Sequence, residues 1–198
     1  MSEAGRRTSS ETSADEAGLV RAAQGGDSRA FAEIVTRYQR AIYRVAYGFT
    51  RVPADADDLA QETFVRAYQA IGRFRVGEPL YPWLARIASN LALSLLRRRK
   101  RRPETPLEPL VEAGRQWGVE EDPGRGVMDR EQKEHLNQAL SELKPEHQAV
   151  LVLRGVEEMS YEEMAKTLNI PLGTVMSRLS RARAELKARL EAKTGDST

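Results

Sequence analysis

The stretch from Glu158 to Arg183, EMSYEEMAKTLNIPLGTVMSRLSRAR, constrains this chain most. Ser160 stands three residues before Glu163, so hydroxyl and carboxylate can each satisfy an amide at a helix start. Met164, Ala165 and Leu168 give that helix one apolar face. Asn169-Ile170-Pro171-Leu172-Gly173 then interrupts it, because proline lacks a donor and glycine accepts unusual dihedrals. A second helix follows in which Val175, Leu179, Ala182 and Leu186 recur at the spacing of one buried stripe. Thr174, Ser177, Arg178 and Arg181 face outward. Two helices joined by a tight turn, the second polar at its start and basic further on, describe a helix-turn-helix. The same pattern also fits a plain helical hairpin on a bundle surface, and the basic outward face is what favours DNA.

Charge distribution separates the chain into parts. The total is only +2, yet residues 27–102 hold 15 Lys/Arg against 7 Asp/Glu, and residues 103–128 hold 2 against 6. Within 176–193 the balance is 6 against 2, so the positive charge of the C-terminal part sits on the second helix of the motif. The 103–128 segment also has four prolines and reads as a flexible acidic linker with a domain boundary beside it. Residues 1–15, rich in Ser, Thr and Glu, read as a disordered tail. The expected organisation is therefore a tail at 1–15, a basic helical domain at 16–102, the linker, and a second domain at 129–193. No strand-like alternation occurs, so the fold is expected to be all-α: two small helical domains, the second carrying the helix-turn-helix. Each module of about 70 residues can bury only a modest core.

In the first domain a short helix over Ala17–Gln24 ends at Gly25-Gly26, and Asp27 or Ser28 can cap a long helix reaching about Thr50. Phe31, Ile34, Val35, Tyr38, Ile42, Val45 and Phe49 form its inner side. From Asp55 to Ile71 the inner stripe is Ala60, Phe64, Ala67, Tyr68 and Ile71, and the opposite side carries Asp57, Asp58, Gln61 and Glu62. Those acids suit the positive end of a helix dipole, or else form a docking face for a basic partner. Gly72–Pro82 reads as a loop that interleaves Phe74 and Tyr81 with Arg73 and Arg75. The helix from Trp83 turns Leu84, Ile87, Ala88, Leu91 and Leu95 inward and ends in six consecutive basic residues, Arg97–Arg102. Aromatic rings beside cations are what single-stranded nucleic acid requires, although basic residues also suit a helix C-terminus. Trp83 taken alone reads as a core side chain. In the second domain, a helix from Asp129 stops at Lys144-Pro145 and another over Glu146–Gly155 buries Val150, Leu151 and Leu153.

Nothing in the sequence supplies an active site. The chain has no cysteine and two histidines, His135 and His147, on separate helices, which disfavours a metal centre. Neither glycine-rich nucleotide motif is present, so no cofactor is expected. No run reaches the length of a membrane span and the N-terminus lacks an apolar signal core, so no membrane insertion and a cytoplasmic location are expected.

Taken together, the segments DSRAF, DADDLAQETFVRAYQAIGRF, PWLARIASNLALSLLRRRKR and LRGVEEMSYEEMAKTLNIPLGTVMSRLSRARAEL resemble the extracytoplasmic-function sigma factors, the small two-domain bacterial class. The resemblance runs from about Leu19 to Leu190. It implies a non-enzymatic factor that binds core RNA polymerase through the β′ clamp helices and the β flap. It also implies reading and melting of the promoter minus-ten element, reading of the minus-thirty-five element, and a stress or envelope response under an anti-sigma factor. By position, Asp57, Asp58, Gln61 and Glu62 correspond to the clamp-binding helix, which favours docking over the dipole reading. Phe74, Trp83, Arg86 and Asn90 correspond to the strand-separating, base-holding part, with Arg97, Arg98, Arg99 and Lys100 following phosphates. Thr174, Ser177, Arg178, Arg181 and Arg183 correspond to the minus-thirty-five reader, Ser177 and Arg181 nearest the bases. One departure is Met176, where the family commonly has a basic residue. Two other classes fit less well: a response-regulator-type activator lacks its receiver domain here, and a helical adaptor does not need the basic run.

Overall fold

The computed structural model describes the backbone over residues 3–101 and 130–195. The linker at 103–128, with Trp117, lies outside the described residues. Eight α-helices occur among them, and no strand: α1 (Glu3–Gln24), α2 (Ser28–Thr50), α3 (Pro53–Ala70), α4 (Leu80–Arg101), α5 (Arg130–Glu142), α6 (Pro145–Gly155), α7 (Tyr161–Leu168) and α8 (Leu172–Gly195). A 3-10 turn at Ile71–Arg73 follows α3.

Local chemistry sets most boundaries. Asp27 caps α2 by accepting from the amides of Arg29 at 2.8 Å and Ala30 at 3.3 Å. Proline occupies the first turn of α3 and of α6, where its missing donor costs nothing. One expectation fails at the N-terminus, where α1 begins at Glu3, so the segment expected as a disordered tail is largely helical. Its Ala, Glu and Arg residues are good helix formers that extend the turn begun at Ala17–Gln24.

Helices α1–α4 enclose the first core, in which Ile34, Ile42, Phe49 and Leu84 are fully buried. Each such side chain contributes about 1.5–3 kcal/mol of transfer free energy. Met159, Met164, Val175, Leu179 and Ala182 centre the second core, together with Val150 and Leu153 of α6.

The two cores meet. Val152 of α6 packs into the first and Ala85 of α4 into the second. At the seam, a Cβ placed on Gly48 would stand 2.6 Å from Val152 Cγ1, so only glycine lets α2 and α6 approach this closely. Gln148 Nε2 donates to the Phe49 carbonyl at 2.7 Å in a buried contact. The Glu157 carboxylate, its side chain 3% exposed, accepts from Tyr81 Oη and pairs with Arg44 at 3.4 Å. Burial together with that carboxylate pushes the Tyr81 phenol well above its ordinary range.

Candidate polymerase and nucleic-acid interfaces

The acidic surface lies on α3. Asp58 and Gln61 are exposed, and Glu62 is half-exposed and holds Arg66 one turn on at 2.7 Å. Asp57 departs from expectation: it is buried at 8% exposure, and its Oδ1 has no hydrogen-bond donor. The helix turns this residue inward because it lies three residues before Ala60 and seven before Phe64, on the same buried stripe. Burial first and Asp58 second raise its pKa. Tyr68, expected inside, is 50% exposed beside Val65 at 51%, so α3 presents an apolar end next to its acids. The Tyr68 ring meets Phe31 edge-on, with centroids 5.0 Å apart.

The second surface is the outer side of α4 with the turn before it. Trp83, Asn90 and Arg97 recur at sevens and so share a stripe, with Arg86 one turn before Asn90. Arg86, Asn90, Arg97, Arg98, Arg99 and Lys100 are exposed. Phe74 is half-buried and its ring rests on Trp83 at 4.8 Å, tilted by 47°. This segment is fastened by residues that the sequence did not single out. Gln24 Nε2 donates to the carbonyls of Ile71 at 2.8 Å and Phe74 at 2.7 Å. The Glu16 carboxylate accepts from the Leu80 amide at 2.9 Å, capping α4. Sequence separations of 47 to 64 residues carry no periodic signal, so neither contact was legible.

Three of the four basic residues expected to follow phosphates have protein partners. Arg97 donates to Glu146 at 2.7 and 3.1 Å, Arg99 forms a bidentate pair with Asp55 at 2.8 Å, and Lys100 Nζ caps α5 through the Leu143 carbonyl at 2.6 Å. Two of these contacts cross the seam. Burial, the largest single influence, would raise the Glu146 pKa, but the hydrogen bond from Arg97, the backbone hydrogen bond at Glu146 and the charges of Arg97 and Arg178 together outweigh it and lower the value.

The third surface is the helix-turn-helix. Ser160 accepts from the Glu163 amide at 3.2 Å and Glu163 returns the bond to the Ser160 amide at 2.7 Å, completing the capping box. The turn is made by Asn169, left-handed at φ 53°, and not by Gly173, which lies inside α8. Asparagine tolerates this region because its short polar side chain bonds locally. Pro171 then offers its carbonyl to the amides of Thr174 at 2.9 Å and Val175 at 3.1 Å, starting α8. Val175, Leu179 and Ala182 are buried as expected, while Ser177 and Arg181 project outward. Ser177 Oγ donates to the Thr174 carbonyl at 3.1 Å. Arg178 and Arg183 flank that face on opposite edges, and Met176, 53% exposed, lies on the Arg183 side.

The described residues contain no group of His, Asp and Glu able to hold a metal ion. No helix among them is long and apolar enough to cross a membrane.

Comparison with known proteins gives these surfaces a context. The Sigma-70 region 2 family model matches residues 34–102, and the Sigma-70 region 4 model matches residues 133–186. The chain is 36% identical to the RNA polymerase sigma-H factor of Pseudomonas aeruginosa, covering 87% of this chain and 92% of that protein. It is 34% identical to the ECF RNA polymerase sigma factor SigW of Bacillus subtilis, over 86% of this chain and 94% of its relative. Among solved structures, CnrH in complex with the cytosolic domain of CnrY superposes with a TM-score of 0.64 at 30% identity, over 89% of this chain and 97% of CnrH. The sigma factor RpoE of Bartonella quintana, solved with the anti-sigma factor NepR, gives a TM-score of 0.61 at 26% identity, over 81% of this chain and 96% of RpoE.

Proposed function

The chain belongs to the extracytoplasmic-function RNA polymerase sigma factors, and from that premise we propose how its parts divide the work. As a member it directs promoter-specific initiation with core RNA polymerase and has no catalytic activity of its own.

In this reading the first domain docks on the β′ clamp helices through Asp58, Gln61 and Glu62 of α3. Asp57 supports that face from beneath rather than touching the partner, because it is buried. Phe74, Trp83, Arg86 and Asn90 hold an unpaired base of the minus-ten element, and Arg97–Lys100 follow the neighbouring phosphates. Extracting a base costs a few kcal/mol of stacking, which an aromatic pocket and phosphate contacts return. The second domain contacts the β flap and sets α8 in the major groove at minus-thirty-five. Ser177 and Arg181 read base edges there, and Arg178 and Arg183, on opposite edges of the helix, take phosphates on the two sides. An anti-sigma protein is assigned as the regulator, since RpoE was solved with one. Work with polymerase places the protein in the cytoplasm, and the family's stress or envelope responses supply its occasion.

The observation that carries this reading is that an exposed acidic helix face and two basic, outward-facing helices occur on one chain, within the stretches matched by regions 2 and 4. Affinity pull-down of purified core polymerase followed by run-off transcription tests it. The expected result is a complex that initiates at a defined subset of promoters. Failure to retain core polymerase would refute it.

A further inference from the structure

A cleft of about 250 Å³ opens where the end of α2, the end of α4 and the α5–α6 corner meet. Its lining includes Arg51, Arg99 and Lys100 together with Thr50, Ser141 and Gln148, and no acidic residue. Asp55 neutralises Arg99, and Lys100 is turned to main-chain carbonyls. Arg51 is different: it makes no ion pair among the described residues, and its Nε is buried without an acceptor. Burial depresses its pKa, offset only in part by Tyr47, as expected for a cation removed from water without a carboxylate opposite it.

The backbone makes the same residue more unusual. Arg51 ends α2 at φ 57°, its amide bonded to the Tyr47 carbonyl at 2.9 Å. This left-handed cap position favours glycine, and a long side chain there is strained. Arg51 thus carries a strained backbone and a desolvated guanidinium at once, and the residue lines the cleft. Unfavourable terms that coincide at a single residue are a mark of a binding site.

We propose that this cleft binds a small oligophosphate anion, pyrophosphate or the diphosphate of a nucleotide, with Arg51 as its main ligand. The guanidinium fork matches two phosphate oxygens. The volume equals that of about eight water molecules, enough for two phosphate groups. Its walls come from both domains, which admits a small anion and leaves no room for duplex DNA. A bound anion therefore bridges the domains and favours their packed arrangement.

Thermal unfolding of the full chain with increasing pyrophosphate, at constant ionic strength and without divalent cations, tests the site. The wild-type midpoint rises and saturates. In Arg51→Gly the rise is lost, with at least a tenfold weaker affinity, whereas the midpoint without anion is unchanged or higher because glycine relieves the left-handed cap. Arg51→Gln, titrated calorimetrically, gives the same loss of affinity and guards against a folding defect peculiar to glycine. No saturable rise in the wild type, or one retained within twofold in both variants, overturns the proposal. An Arg51-dependent rise with a short single-stranded oligonucleotide but none with pyrophosphate reassigns the cleft to DNA backbone and overturns it equally. Core polymerase takes no part in these measurements, so they succeed or fail independently of the sigma reading.

Discussion

At Asp57 the fold takes a carboxylate out of water without giving Oδ1 a donor, whereas the next residue along the chain stays exposed on the acidic face. The raised pKa of Asp57 means that the folded protein holds its proton more tightly than the unfolded chain does. Stability therefore falls as pH rises through the window from the ordinary carboxylate value upward, because the folded state binds more protons there. Asp57→Asn removes the charge while keeping a polar amide in its place, and unfolding at pH 7 is expected to become harder. Urea unfolding at pH 4 and pH 7 checks this: the wild type loses stability between them and the variant loses less. Asp58→Lys should leave stability within about 0.5 kcal/mol, as surface changes do, yet abolish binding of core polymerase. Unchanged affinity in that variant returns the acidic face to a helix-dipole role. Arg181 is exposed and makes no ion pair among the described residues, so it is available to a base edge. Arg181→Ala is expected to cost about 1–3 kcal/mol at one position of the minus-thirty-five element, measured by competition among single-base variants of the duplex. A uniform loss across all sequences assigns it to a phosphate instead.

Helices were the legible scale because their signals are local. The Ser160 capping box, the Asp27 cap and the stripe Val175–Leu179–Ala182 each occupy a few neighbouring positions and stand where local sequence put them, whereas α3 begins at Pro53 rather than Asp55 and α6 begins at Pro145 itself. Misreadings came where two residues compete for one role or where a partner is distant. Both Asn169 and Gly173 suit the turn, and the helix-start carbonyl of Pro171 decided in favour of Asn169. Tyr68 satisfies the inner stripe by spacing, but near the end of α3 it is half exposed and meets Phe31 edge-on. Of the site residues, exposed ones such as Asp58, Asn90 and Arg181 follow directly from the apolar face opposite them. The fastening of the Phe74 segment by Gln24 and Glu16 depends on tertiary geometry alone. Ser160→Ala tests the local part: losing the side-chain half of the capping box should cost about 1 kcal/mol. The urea midpoint of the full chain falls accordingly. Affinity for minus-thirty-five duplex falls with it if α7 must be ordered to support α8.

On the scale of the whole molecule, the packed arrangement of the domains employs groups that promoter DNA also needs. Arg97 is held by Glu146 and Lys100 by the end of α5, so phosphates can take these cations only after the seam loosens. Against that competition the packed arrangement sets the Gln148 bond to Phe49, the Glu157 carboxylate shared by Tyr81 and Arg44, the apolar packing of Val152 and Ala85 into the opposite cores, and the close approach at Gly48. Gly48 isolates this balance from folding, because the three atoms that a Cβ at this position would meet first all belong to Val152 across the seam. A larger residue strikes Val152 of α6 first, so its first penalty falls on the packed arrangement. Overpacking of this kind costs about 1–3 kcal/mol, which multiplies the population of separated domains by roughly 5 to 150. Gly48→Leu is therefore expected to increase the radius of gyration in small-angle scattering and to tighten binding of a single-stranded minus-ten oligonucleotide by a similar factor. The helical signal in circular dichroism stays the same. An unchanged radius together with unchanged oligonucleotide affinity would mean that α2 and α6 repack around the new side chain, and that the seam does not limit access to Arg97 and Lys100.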